Sequence, residues 1–500
     1  MARRIVLAVV VVLALGAAAI YWFLSGDGIR LALERQASAW LGQPVQIAEA
    51  TAQIVPRIAI QLRDVRVGDP VRLSLADVEV SAGLRALLSR RVEDAEITIA
   101  DSRIELPLPF AIPSGASASE TGSGGGGGFT VASIRAITLD DVRIVSRGRE
   151  IAVSASAALA GTRLNLESFT ATSGETSVEA SGVVELEPRL DAKIEAAANR
   201  LDLDDLLALV EAFTPEPQAA RAATRRTGPL LPGRLAAKLT ADEGTAAGVE
   251  FTDFVANLRA QGDRVTLSPA SFAFFGGRYE GALEATLASA LDLSVTSRIQ
   301  NLDVAQLAAF GGVPEAISGR LSGSGKFTGR GRDVAAVLAA ARGSGSATIA
   351  DGVLPGLELV RTVILFFGRP EEDAPASKGS RFDRIATSFT LERQVVRADS
   401  LTMESPDVDV AATGSLTIPT KALEGRANLL LSESLSAQAG TDLQRYTREG
   451  NRVVLPATIG GTLSRPRVMI DAAAALKRGI QNELQRRLKG LFDRIKPPPR

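Results

Sequence analysis

The stretch GRLSGSGKFTGRGRD (Gly319–Asp333) sets a lysine among closely spaced glycines, the composition of a loop that wraps a phosphate. That chemistry has fixed requirements. A glycine must stand five residues before the one that precedes the lysine, and here that position is Arg320. A Ser or Thr must follow Lys326 to reach magnesium, and Phe327 stands there. Leu321, Gly323, Gly325 and Phe327 alternate with polar residues instead, as a strand does. A second stretch, ASFAFFGGRYEGALEATL (270–287), pairs Gly276 with Gly277 beside Arg278. Past Gly277, Tyr279, Gly281, Leu283, Ala285 and Leu287 alternate with Arg278, Glu280, Ala282, Glu284 and Thr286. That is again a strand. No helix N-terminus waits for an anion, and the glycine pair reads as turn conformations closed to other residues. Carboxylates cluster at Asp140–Asp141, Asp202–Asp205 and Glu371–Asp373. Paired acids can hydrolyse glycosides, but the first two clusters read as turns or caps and the third lies in a polar loop.

The composition closes other routes. The chain has no cysteine and no histidine. Thiol nucleophiles, histidine triads, zinc fingers and disulfide frameworks are excluded together. A net charge of -1 gives no global basic field, and aromatics at 4% are too sparse for base stacking, so nucleic acid is not an expected partner. No catalytic, cofactor-binding or metal constellation emerges. The expectation is a protein that is not an enzyme and needs no cofactor.

The elements that would position any site follow from periodicity. Arg3 and Arg4 precede an uncharged run, Ile5–Leu24, of bilayer-spanning length that ends in Tyr21 and Trp22. It reads as an uncleaved anchor with the remaining chain outside the cytoplasm. In a bacterium with two membranes this predicts a single-pass inner-membrane protein with its bulk in the periplasm. Ile29–Gly42 has helical spacing and stops at Gly42 and Pro44. Runs from Ile58, Leu73 and Ile97 then alternate as strands with one dry face. A short helix or turn is expected over 83–91.

Similar β-units recur at Phe169–Leu186, Phe272–Leu287 and Leu401–Ile418, with Gly182, Gly281 and Gly414 near their middles. Two of them lead into a strand and a short helix, whose first turn holds Asp202 or Asp303 as a cap. The spacing predicts seven segments. These are a cytoplasmic stub and anchor (1–26), a helix plus strands (27–112), a Gly/Ser-rich loop (113–128) and a β-repeat region (129–213). A Pro/Arg-rich loop (214–232), a second β-repeat region (233–470) and a basic helix with its tail (471–500) follow. The expected fold is mainly β: a transmembrane helix, then an elongated twisted antiparallel β-sheet groove with short helices. Phe272, Phe274, Leu283 and Leu287 are candidates for the groove lining. The alternation alone leaves open which phenylalanine face points inward.

At the C-terminus, Leu476, Ile480, Leu484 and Leu488 form a stripe with a basic surround. Such a helix either docks on an anionic membrane or partner, or covers an open sheet edge.

Together these features resemble the AsmA-like family of bacterial envelope proteins, related more distantly to TamB-like and chorein-type bridge proteins. The resemblance rests on LGQPVQI (41–47), VPRIAIQLRDVRVGDP (55–70), FFGGRYEG (274–281), ISGRLSGSGKFTGRG (317–331), GSGSATIADGVLPGLEL (343–359) and LPATIGGTLSRPRVMID (455–471). Glu358 stands where the family commonly has Asp. The resemblance implies an apolar β-groove that binds or conducts phospholipid or another acyl lipid and supports outer-membrane assembly and envelope integrity. The alternative is a scaffold or assembly factor for outer-membrane proteins, without lipid transfer, that acts by strand addition at an open edge. Envelope assembly proteins are the expected protein partners.

Overall fold

The structure is a computed structural model that describes residues 27–53, 58–82, 91–92, 94–106, 130–131, 134–205, 231–287, 290–368, 379–439, 447–475 and 477. The predicted anchor Ile5–Leu24 lies outside them. Among the described residues no helix is long and apolar enough to cross a membrane. Two compact units divide the chain. The first holds residues 1–249 and 258–262, and the second holds 250–257 and 263–500.

In the first unit, helix α1 (Asp27–Leu41) ends at Gly42, whose φ of 63° is open to glycine and whose N–H returns to the Ser38 carbonyl at 3.0 Å. Strands β1 (Val45–Gln53), β2 (Ile58–Val67), β3 (Leu73–Ala82), β4 (Arg91–Val92), β5 (Ala95–Ala100), β6 (Arg103–Leu106) and β7 (Thr130–Val131) follow. Then come β8 (Ile134–Ser146), β9 (Arg149–Ala160), β10 (Arg163–Ser173), β11 (Thr176–Glu185), β12 (Asp191–Asp202) and β13 (Leu231–Ala246). Strand β14 (Val249–Gly262) is shared between the units.

The sequence predicted an antiparallel sheet. Most pairs are antiparallel, but β5 and β6 run parallel to β8, β4 to β7, and β12 to β13. The sheet is therefore mixed. The reason lies in connection length, because a parallel pair needs a crossover of a dozen or more residues. The connections 107–133 and 203–230 carry the Gly/Ser-rich and Pro/Arg-rich inserts, and these are the places where the chain returns in parallel.

Helix α1 closes one end of this sheet. Leu33, Ala37 and Leu41 pack on Val45, Ile47, Ala50, Val65 and Val67. Polar side chains of the same helix serve the backbone of β1 on the side away from β2. Glu34 accepts from the Ile47 N–H at 2.8 Å, and Ser38 accepts from the Val45 N–H at 2.9 Å. Arg30 donates to the Ile47 carbonyl at 3.4 Å.

The second unit continues with β15 (Arg264–Phe274), β16 (Gly277–Leu287), β17 (Leu291–Asp303), β18 (Arg320–Gly331), β19 (Arg342–Leu354), β20 (Ser380–Glu392), β21 (Val395–Glu404), β22 (Val408–Thr417) and β23 (Ala422–Leu431). Strand β24 (Arg448–Glu449) is short, and β25 (Arg452–Thr462) and β26 (Arg465–Ile470) end the order. From β15 to β23, and on to β25 and β26, each strand pairs antiparallel with the next. Short helices fill the connections: α2 (Val304–Phe310), α3 (Val334–Ala339), α4 (Leu359–Phe366) and α5 (Glu433–Gln438). Asp303 caps α2 by accepting from the Ala305 N–H at 2.9 Å, as its place in the sequence predicted. Glu358 makes no capping bond to α4. Ser380 accepts from the Leu359 N–H at 3.0 Å in its stead, and Glu358 lies 3.5 Å from Arg361.

The three related segments are hairpins, and each carries a register shift in its first strand: between Leu166 and Phe169, Leu267 and Ala270, and Ala398 and Leu401. Left-handed backbone explains several aspartates and an asparagine, two of these positions (Asp141 and Asn301) lying at register shifts. Asp64 and Asp141 in the first unit, and Asp253, Asn301 and Asp351 in the second, have φ between 45° and 55° in mid-strand. Asp141 was expected in a turn or cap, but it is a bulge residue of β8. Asp and Asn tolerate this left-handed conformation better than other non-glycine residues. At Asp64 the register to β1 and β3 is kept, yet the apolar set advances by three instead of two, so Leu62, Val65 and Val67 pack on one side. Asp202 does cap, accepting from the Asp204 and Asp205 N–H groups at 2.9 Å.

Candidate functional site

Residues directly opposite on paired strands share a face. In the second unit this register runs Phe272–Tyr279–Ile299–Gly323–Ala347–Thr387–Leu401–Ala412–Ala427–Ala457–Ile470 across eleven strands. Thr387 is its single polar member. The opposite face carries Glu280–Arg298–Ser324–Ser346–Ser388–Ser400 in the same way. The sheet thus has one apolar and one polar surface. Ten strand spacings of ~4.8 Å make the apolar face roughly 50 Å wide along the hydrogen-bonding direction of this unit. The first unit repeats the device with smaller residues: Leu139–Ala155–Phe169–Ala180–Ala196–Leu239.

All four lining candidates fall on the apolar face. Phe272 pairs with Tyr279, Phe274 with Gly277, Leu283 with Val295, and Leu287 with Leu291. Phe272 and Phe274 lie on the face that carries Tyr279, Ile299 and Leu401, which answers the question of face that the alternation left open. Leu287 is 40% exposed at its strand end. The stripe candidates Leu476, Ile480, Leu484 and Leu488 lie outside the described residues.

The glycine pair is divided in its duties. Phe275 and Gly276, with φ of 45° and 67°, form the two-residue turn between β15 and β16. Gly277 belongs to β16, where a Cβ would collide with the backbone of β17. The expected turn role holds for Gly276 alone.

Sequence reasoning missed an aromatic cluster around this hairpin. The Phe272 and Tyr279 rings stack at 4.7 Å, Phe272 and Phe274 lie 5.2 Å apart, and Phe251 and Phe254 of β14 stand 6.0 and 6.5 Å from Phe272. Phe274, Phe275 and Phe310 extend the chain of rings. Burial pushes the Tyr279 hydroxyl pKa above its ordinary value. Farther along, aromatic rings lie over glycines. A Cβ on Gly325 would meet the Phe327 ring at 2.6 Å, and one on Gly345 the Phe389 ring at 2.8 Å. The Phe327 and Phe389 rings are nearly parallel at 6.4 Å.

Beyond Phe389 the apolar face becomes roofed. The segment Ala316–Ile317 and the turn Leu354–Leu359 cross it, and a cavity of about 360 Å³ lies beneath. That volume is within the usual range of small-molecule sites. Its walls include Ile385, Phe389, Leu401, Met403, Leu429 and Val468. Lys421 donates to the Gly312 carbonyl at 2.9 Å and pins the roof to the β22–β23 turn. Leu463 packs near Ala308, Val313 and Ala316. Beside it a compact core joins α4 (Leu359, Val363), Phe382, Leu429, Leu431, Leu455 and α5 (Leu435).

Chemically, this surface can exclude water and hold hydrocarbon. Among the described residues no group of acidic residues is placed to hold a metal ion.

The AsmA family model matches residues 131–401. Protein AsmA of Escherichia coli (strain K12) is 20% identical over 356 residues, which cover 67% of this chain and 57% of the relative. The chain thus aligns with little more than half the length of that relative. No solved structure matches. The family match spans more than half of the chain, and the protein belongs to the AsmA family. Membership supports an envelope-associated function.

Proposed function

We propose that the protein is anchored in the inner membrane, exposes its bulk to the periplasm, and binds or conducts phospholipid along its apolar β-face in support of outer-membrane assembly and envelope integrity. The observation that carries this reading is the register from Phe272 to Ile470, apolar across eleven strands except at Thr387. An apolar surface of this extent is unfavourable in water and calls for an apolar occupant. Each methylene it takes out of water contributes about 0.8 kcal/mol. The arginines at positions 3 and 4 favour the stated orientation of the run Ile5–Leu24, and the stripe Leu476–Leu488 supplies a docking element for a membrane or partner.

The test places photo-crosslinkers on successive residues from Tyr279 to Leu287 in cells. Lipid capture at Tyr279, Gly281, Leu283, Ala285 and Leu287, but not at the residues between, is expected. Uniform or absent capture sinks the reading. Mass spectrometry of material extracted with the purified chain separates lipid from an outer-membrane protein client, the scaffold alternative.

A further inference from the structure

We propose that the roofed cavity of the second unit is a terminal pocket for one hydrocarbon chain, entered tail first past Phe389, with no provision for a polar headgroup. The proposal rests on the lipid-binding reading and specifies what the covered end of that face holds.

The depth of the cavity comes from small residues in register. Ala398, Gly414 and Gly425 oppose one another on β21, β22 and β23, and Ala412 and Ala427 do so one row away. At Gly414 and Gly425 the floor is bare backbone. These rows run across the strands, so the trough follows the hydrogen-bonding direction, as an extended chain crossing from strand to strand would. Larger residues wall it in, and a hydrocarbon chain is the ligand that small floors and aliphatic walls fit. The chemistry of the lining excludes a headgroup. Among the described residues Glu424 is the one charged residue that touches the cavity, and its side chain is exposed, on the face away from the trough, opposite Ser415. A phosphate or ammonium taken inside would lose its hydration without a charged partner. The roof gives the trough an end. On the other side Phe389, lying over Gly345 and beside Phe327, stands where the open face passes into the cavity.

The full chain is purified with p-benzoylphenylalanine replacing either Leu416, at the cavity, or Leu283, on the open face. It is illuminated with vesicles of phosphatidylethanolamine and phosphatidylglycerol labelled in the acyl chain or, separately, in the headgroup with a photoreactive partner. The acyl label is expected at both positions, and headgroup adducts only at Leu283. Ala398→Trp, which fills the trough, is expected to cut capture at Leu416 about tenfold, the change that follows from losing about two methylene contacts. It should leave capture at Leu283 unchanged. Capture at Leu283 without capture at Leu416 overturns the pocket and leaves the lipid-binding reading standing. Headgroup adducts at Leu416, or capture there that survives Ala398→Trp in protein with an unaltered circular dichroism spectrum, also overturn it. Capture at neither position overturns both readings. Should Ala398→Trp fail to fold, capture of the acyl label and not the headgroup at Leu416 in the otherwise native chain still decides the matter, and Ala398→Leu replaces it as the filling variant.

Discussion

The two units apply one pattern to different ends. In the first, the apolar rows away from α1 are built largely of alanine, and many of their residues stay half-exposed. In the second, the rows carry leucine, isoleucine and phenylalanine. Where α4, α5 and the roof segment lie on them, Leu429, Leu431 and Leu455 reach 0% exposure. The strands alternate alike in both. What distinguishes them is cover, so a buried core forms only where another element crosses the sheet. An alternating strand therefore specifies a face, and it takes a helix or a crossing loop to turn that face into a core.

The largest expected effect tests that contrast directly. Leu429→Ala should cost about 2–5 kcal/mol, as large-to-small changes in closed cores do. Leu164→Ala in the first unit, partly buried on β10 with no element over it in the core clusters of the described residues, should cost less, about 1–2 kcal/mol. Hydrogen exchange of peptides from the two regions reads each locally. Equal losses would dissolve the contrast.

Next in size is the helix that covers β1. Glu34→Ala removes the acceptor for the Ile47 N–H and should cost the α1–β1 region about 1–3 kcal/mol. Protease cleavage near residues 41–45 is the readout, and an unchanged cleavage rate would show that packing of Leu33 and Leu41 suffices alone.

A smaller gain is expected at the β20–β21 turn. Arg393 and Gln394 have φ of 48° and 65°, the same geometry that Phe275 and Gly276 adopt with a glycine in place. Gln394→Gly should stabilise this hairpin by about 1 kcal/mol. Thermal melting that moves downward would contradict the turn assignment.

The smallest effect is alkaline. Tyr279 binds its proton more tightly when folded, so its contribution is complete below the unfolded value of about 10 and is lost as pH rises through the higher folded value. Tyr279→Phe should therefore flatten the stability loss above about pH 10 in the second unit and leave the first unaltered, as followed by urea denaturation.

Much of this architecture was legible from alternation. Tyr279 to Leu287, Leu321 to Phe327, and the helix ending at Gly42 appear as read, because a period of two or 3.6 is local information. The parallel pairs were not legible. Strand direction is decided by where a long connection returns, and the composition of 113–128 or 214–232 does not say. The left-handed breaks in the strands were half legible. In IAIQLRDVRV the apolar spacing jumps from two to three at Asp64, and LDDVRI repeats the jump at Asp141. Read as punctuation inside a strand, that spacing would have found them. The shared face of Phe272, Phe274, Leu283 and Leu287 was readable from pattern alone, but the cavity near Ala412 was not. Its roof comes from residues 316–317 and 354–359, distant in sequence from Ala412, and no periodicity links them.

The side chains that α1 spends on β1 limit what can join this protein. A strand arriving at that edge would need the Val45 and Ile47 N–H groups, and Ser38 and Glu34 already occupy them. The newcomer would have to evict two hydrogen bonds and lift a packed helix before making its first. The first half of β1 is thus a finished border that refuses recruits, and any client that binds by lengthening a sheet must start its pairing beyond Ile47 or at another margin.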